Sequence, residues 1–178
     1  FIIHYLVPGQ RRTVTLVESS PKDQLQPKLH SFRYDKPGDR IDRYEPHVFS
    51  IDGKTEHTPD PELTKNPFHF SHASWDAKGT RMLYEYTERG YGKHYLIAMD
   101  AVSGEQSVLV KEESDTFINM NTVRFRRDLP ETQEIIWGSD RDGWRHLYLL
   151  DSATGKVKHR ITHGDWSVRD VEKIDPQN

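Results

Sequence analysis

The 178-residue chain contains no cysteine, so no disulfide can brace it, and because cysteine-free proteins occur in reducing and oxidising compartments alike, its localisation stays unknown at this level. It also lacks any apolar run near the roughly 20 residues that a membrane-spanning helix requires. Phe1-Ile2-Ile3 has neither the charged nor the apolar region of a signal peptide. Those residues look like the middle of a strand, as though the chain were cut from something longer. Charge of one sign is missing as well: 25 Lys and Arg are intermingled with 28 Asp and Glu, for a net charge of −3. Without a basic stripe to neutralise phosphates, nucleic acid is not an expected partner. Apolar residues reach only 34%, low for a globular domain, although the length suffices to bury a core in one domain.

What is present is a repeat. Tyr95-Leu96-Ile97-Ala98-Met99-Asp100-Ala101-Val102-Ser103-Gly104-Glu105 and His146-Leu147-Tyr148-Leu149-Leu150-Asp151-Ser152-Ala153-Thr154-Gly155-Lys156 are near copies. In each, an apolar strand runs into a turn in which Asp100 or Asp151 and a hydroxyl cap the backbone, while Gly104 or Gly155 takes the positive φ. The match extends upstream to strands at 81–86 and 134–137, and before those to 70–75 and 121–126. Downstream, 106–110 and 156–161 are polar in alternation, as exposed edge strands should be. A weaker copy spans Glu45 to Lys54, with Asp52 at the turn, and residues 12–18 alternate as another strand. Copies about 40–50 residues long with several short strands each predict propeller blades. The expected fold is therefore all-β, a partial β-propeller of about three to four blades of four-stranded antiparallel sheet. The blade-like units fall at about 1–60, 61–112 and 113–165, with the start of the next at 166–178. Because a ring closes with about four to eight blades, this number points to a fragment that closes by dimerising or to an open arc with exposed edges, and favours a piece of a larger protein.

Candidate chemistry is sparse. Among ten histidines, only His69 and His72 are close, and on an alternating strand their rings face opposite ways, which argues against a shared metal. His146, His159 and His163 read as blade-surface or inter-blade hydrogen-bonding groups. Asp140-Arg141-Asp142-Gly143 could open a calcium loop, but Trp144 stands where the next ligand oxygen should be. The alternative is a turn whose backbone amides are bonded by Asp140 and Asp142, with Gly143 releasing the chain into the next strand. Trp75, Trp137, Trp144 and Trp166 recur at related points and are expected to fill the wedge between blades, Trp144 above all. No metal or cofactor is expected.

Ser139-Asp140-Arg141-Asp142-Gly143-Trp144-Arg145-His146-Leu147-Tyr148, followed by Ile161-Thr162-His163-Gly164-Asp165-Trp166-Ser167-Val168, closely resembles the propeller domain of dipeptidyl peptidase IV-like serine peptidases. Phe32-Arg33-Tyr34-Asp35-Lys36-Pro37-Gly38-Asp39 leading to Val48-Phe49 is similar to the same family, as is Val123-Arg124-Phe125 with Ile136-Trp137. The resemblance covers about residues 27–171. It implies a parent enzyme with a propeller of about eight blades and a C-terminal α/β-hydrolase domain that removes N-terminal dipeptides, often after proline. The propeller of that family selects peptides by size and carries an acidic pair for their free amino group. If the source is bacterial, the resemblance implies a periplasmic or secreted protein.

That pair sits in a helical insertion upstream of the matched signature, and the insertion is not found in this chain. Glu112-Glu113 is the nearest substitute, and its setting at the end of an outer strand reads as a solvated acidic loop. The Gly-x-Ser-x-Gly turn that presents the nucleophile in such hydrolases does not occur in the sequence, so this polypeptide by itself is expected to be inactive. Two function classes follow. One is the substrate-gating propeller portion of a dipeptidyl peptidase-like exopeptidase, whose partners are peptide substrates, the remaining blades and the hydrolase domain. The other is a stand-alone propeller that binds proteins. Unpaired blade edges also suggest a homodimer.

Overall fold

Short alternating segments satisfy their backbone polar groups only by pairing with one another. The structure, a computed structural model, describes residues 1–120 and 124–175, apart from the His72 side chain. Among the described residues there are thirteen strands and no helix. β1 (Ile2–Val7) leads into a hairpin of β2 (Thr13–Glu18) and β3 (Lys28–Arg33). The chain returns as β4 (Arg43–Phe49), which pairs antiparallel with β1 and with the short β5 (Glu56–His57). β6 (Pro67–Trp75), β7 (Arg81–Glu88), β8 (Lys93–Asp100) and β9 (Gln106–Glu113) form a four-stranded meander, and β10 (Arg126–Leu129), β11 (Glu134–Ser139), β12 (His146–Asp151) and β13 (Val157–Arg160) form another. The result is an open, all-β partial propeller.

The middle sheet is covered on both sides, and its sequence is written for that. In β7, Met82, Tyr84 and Tyr86 join Phe70, Tyr95, Ile97, Met99 and Val48 of β4 in one core, while Leu83 joins Leu96, Ala98, Val110, Ile135, Trp137, Tyr148 and Leu150 in another. Because successive side chains point to opposite faces, a strand sandwiched between two sheets must be apolar at nearly every position, and Met82–Thr87 and His94–Met99 are buried without a break. β11 and β12 instead alternate between buried and half-buried. One of their faces packs on the middle sheet, and the other presents Ile136, Leu147 and Leu149, all half-buried.

Two expectations need correcting. Among the described residues the first sheet has three strands rather than four, because β2 and β3 pair only with each other and project as an arm. The arm leaves Leu16, Val17, Leu29 and Phe32 exposed. The strand expected at 121–126 falls partly outside the described residues; among those described, β10 runs from Arg126 to Leu129, and Gly138 N donates to the Phe125 carbonyl just before it at 2.8 Å.

The repeated turns have the same atomic design. Asp100 Oδ1 accepts the amides of Val102 (2.9 Å) and Ser103 (2.8 Å) and the Ser103 hydroxyl (3.1 Å). Asp151 Oδ1 does the same with Ala153 (3.1 Å), Thr154 (2.8 Å) and the Thr154 hydroxyl (2.7 Å). Each turn also docks on the sheet before it: Gly104 approaches the His57 ring of β5, and Gly155 lies against the Leu109 backbone of β9. Arg81 tightens the second docking by donating to the carbonyls of Ser152 (3.2 Å) and Ala153 (3.1 Å). The glycine is thus required for inter-sheet approach as well as for its backbone angle.

Gly155 and Gly143 separate these two requirements. Both have positive φ, +70° and +87°, but a Cβ on Gly155 would come within 1.9 Å of the Leu109 carbonyl oxygen, whereas one on Gly143 would meet nothing within 4 Å. Gly143→Ala should cost about 1–2 kcal/mol for its backbone conformation. Gly155→Ala should add overpacking of about 1–3 kcal/mol or more to a similar cost. Chemical denaturation of the two variants under identical conditions checks the ranking.

Candidate functional site

The contact between the β6–β9 and β10–β13 sheets holds the densest set of buried polar groups. His94 of β8 stacks on Trp137 of β11, with ring centroids 5.4 Å apart and planes inclined by 18°. Its Nδ1 shares a 3.0 Å hydrogen bond with the Thr87 hydroxyl, and its Nε2 lies 3.5 Å from Glu85 Oε2. The other Glu85 oxygen is 3.8 Å from Arg126 Nη1. Arg126 in turn bonds Asp128 through Nε (2.8 Å) and Nη2 (2.7 Å), and reaches across to Ser74 Oγ of β6 at 2.7 Å. Burial of three such groups is tolerable because each faces a partner of opposite charge or a hydrogen-bonding group. Burial holds the His94 imidazole below its ordinary pKa, aided by the Arg124 charge and opposed by Glu85 and Glu112.

Above this floor opens a cleft of about 240 Å³ bounded by Glu112, Arg124, Phe117, Trp137, Arg141 and Arg145. Glu112 accepts the Trp137 indole N–H at 3.0 Å and Arg141 Nη2 at 2.9 Å, so it is fastened to the next sheet. That changes the reading of Glu112-Glu113 as a solvated acidic loop. In the β8–β9 ladder Glu112 lies opposite His94 and Glu113 opposite Lys93, so their carboxylates point to opposite faces. Glu113 instead accepts the Tyr95 hydroxyl at 2.6 Å. The two cannot close on one ammonium group.

The acidic turn after β11 also differs from expectation. The Asp140 and Asp142 carboxylates leave the turn amides alone: Gly143 N donates to the Asp140 carbonyl at 2.9 Å, and Arg141 N donates to Ser139 Oγ at 3.2 Å. Asp140 instead pairs with the buried Arg145, whose Nε donates to Oδ1 at 2.8 Å. Asp142 accepts the Tyr148 hydroxyl and lies 3.3 Å from Arg160 Nη1. Guanidinium groups therefore occupy the neighbourhood that a calcium ion would need. Among the described residues no three His, Asp or Glu side chains gather into a metal-binding group.

His146 is fully buried and ties the two best-matched motifs together. Its Nε2 bonds the Gly164 carbonyl at 3.0 Å and its Nδ1 the Thr162 hydroxyl at 2.9 Å, with Trp166 edge-on at 5.2 Å. A carbonyl only accepts, so in the neutral ring Nε2 carries the proton and Thr162 donates to Nδ1. His159 and His163 are exposed. His69 lies on β6, whereas the His72 side chain is outside the described residues, so their pairing cannot be placed. Trp137 fills the wedge between sheets at 2% exposure, and Trp144, expected there, stays 45% exposed. Ser139 and Ser167 accept hydrogen bonds from Arg141 and from the Arg145 amide.

Glu85, His94 and Arg126 were not foreseen as a group. The available signal was a single carboxylate, Glu85, inside the apolar run Met82-Leu83-Tyr84-Glu85-Tyr86. A strand buried on both faces tolerates such a charge only if another element brings it a partner.

A family model described as the dipeptidyl peptidase IV (DPP IV) N-terminal region matches residues 10–178. Among solved structures, the chain is similar to the crystal structure of Porphyromonas gingivalis dipeptidyl peptidase 4, with a TM-score of 0.65 and 14% identity over 89% of this chain and 22% of that one. A match to TolB from Acinetobacter baumannii has a TM-score of 0.44 and 16% identity, covering 67% of this chain and 26% of that one. At these identities the first likeness speaks for the fold alone. The chain spans less than a quarter of the P. gingivalis protein.

The two tryptophans give a direct check on the inter-sheet contact. Trp137→Phe removes the donor to the Glu112 carboxylate and should cost about 1.5–3 kcal/mol. Trp144→Phe, at a half-exposed site, should stay within about 0.5 kcal/mol of the parent. Urea unfolding midpoints distinguish the two. Burial, with help from Asp142, pushes the Tyr148 phenol up to about 12. Asp142→Asn removes a negative neighbour, so the phenol should ionise at lower pH in an ultraviolet titration.

Proposed function

The chain belongs to the dipeptidyl peptidase IV N-terminal region family, and on that premise we propose that it is the non-catalytic propeller portion of a dipeptidyl peptidase IV-like serine exopeptidase. In this reading it gates and positions peptide substrates for a C-terminal hydrolase domain. The units at about 1–60, 61–112 and 113–165, with the next beginning at 166–178, are then consecutive blades of one ring.

The observation that carries the reading is the asymmetry of the sheets combined with the family match. β7 and β8 are buried on both faces, whereas Ile136, Leu147 and Leu149 stay half-buried on the far face of the last sheet. An apolar face of that kind suits another blade, because each blade of a propeller shields its neighbour. The missing Gly-x-Ser-x-Gly sequence supports a supporting role in place of nucleophilic catalysis. Contacts to the remaining blades, to the hydrolase domain and to peptide substrates belong to this proposal. So does a homodimer formed through unpaired strand edges.

An antibody raised against this chain, used on an extract of the source organism with peptide sequencing of the band, tests the reading. A native mass several-fold larger, with hydrolase peptides downstream, is the expected result. A mass near that of the 178-residue chain would overturn it in favour of a stand-alone protein-binding module. The chain purified by itself should not cleave a dipeptidyl chromogenic substrate. Light scattering that shows a strict monomer of the native protein at high concentration would remove the dimer.

A further inference from the structure

We propose that the contact between the β6–β9 and β10–β13 sheets is a pH-operated latch, in which protonation of His94 loosens its stack on Trp137 and opens the cleft above it. The inference concerns the sheet contact itself and does not depend on the peptidase reading.

Its basis is where His94 sits. The side chain is 6% exposed, in the seam between two sheets, and one wall of the seam is the Trp137 ring. Among the described side chains, the groups facing it come from every neighbouring element. β7 supplies Glu85 and Thr87, β9 supplies Glu112, the segment before β10 supplies Arg124, and β10 supplies Arg126 by way of Glu85. Arg141 follows β11 and reaches the same place through Glu112.

Both carboxylates are shared with groups of the other sheet. Glu85 sets Oε2 3.5 Å from His94 Nε2 and Oε1 3.8 Å from Arg126 Nη1, and Glu112 holds Trp137 and Arg141. A proton on His94 would place a new positive charge in a buried seam near Arg124. The ring face of Trp137 and the two carboxylates recover only part of the lost hydration, consistent with the lowered His94 pKa, for which burial is the leading cause. The sign follows from linkage. A histidine with a depressed folded-state pKa binds more protons when the seam is open, so closure is favoured at high pH and weakens as pH falls below the ordinary imidazole value of 6.5. The cleft of about 240 Å³ beside the ring gives water a route to the charged form.

Hydrogen–deuterium exchange by mass spectrometry on the native protein tests this at pH 7.5 and 5.5, after correction for the intrinsic pH dependence of exchange. Peptides covering 93–100 and 134–139 should lose protection at pH 5.5 by up to about tenfold, the most that protonating an open-state imidazole of ordinary pKa 6.5 supplies between these two pH values. Peptides covering 157–160, on the far strand of the last sheet, should not change. In His94→Gln, or in His94→Phe should the first variant fail to fold, both pH values should give the same protection. Equal protection of the wild-type seam at the two pH values, greater protection at pH 5.5, or an undiminished acid loss in the variants would each overturn the latch.

Discussion

Burial of the β7–β8 pair on both faces is the constraint from which the rest of the structure follows. A strand with one wet face can alternate polar and apolar residues, but Met82–Thr87 and His94–Met99 have no wet face. Each must therefore be met by a sheet on either side, and Val48 of β4 meets one core while Trp137 and Leu150 meet the other. The transfer of apolar side chains such as Tyr84, Leu96 and Ile97 out of water supplies most of the drive. The outer sheets have less to gain, since each is covered on one side only.

Polar groups then determine how the sheets meet. Glu85, His94 and Arg126 are nearly as buried as the leucines around them. Removing such charges from water offsets most of their mutual attraction, so their net contribution to stability is small. A misaligned docking, however, would part Glu85 of β7 from Arg126 of β10 and His94 of β8 from Trp137 of β11. The same logic applies to the turn contacts, where Arg81 reaches the Ser152 and Ala153 carbonyls only when Gly155 is seated against Leu109.

Much of this fold was legible because its rules are local. An Asp whose carboxylate caps the next few amides, followed by Ser or Thr and then Gly, is recognisable over five residues, and the Asp100 and Asp151 turns form as that pattern implies. The β2–β3 arm was less legible: Thr13–Glu18 alternates like any strand, and nothing in that alternation tells whether its partner belongs to a blade or to a hairpin. Asp140 and Asp142 stand at a turn, but their carboxylates found Arg145, at the end of the same connection, and Tyr148 and Arg160, on the two strands that follow.

The repeat, the all-β class, the Asp100 and Asp151 turns and the family could be read from residue order, because each rests on interactions among residues close in the chain or on an ordered set of motifs. Tertiary structure alone decided that Trp137 and not Trp144 enters the wedge, that Glu112 and Glu113 part company, and that His94 lies between Glu85 and Trp137. Strand alternation tells which residues share a face, but which face meets which neighbour depends on the register and docking of segments some 40–50 residues apart, and no local preference encodes that distance.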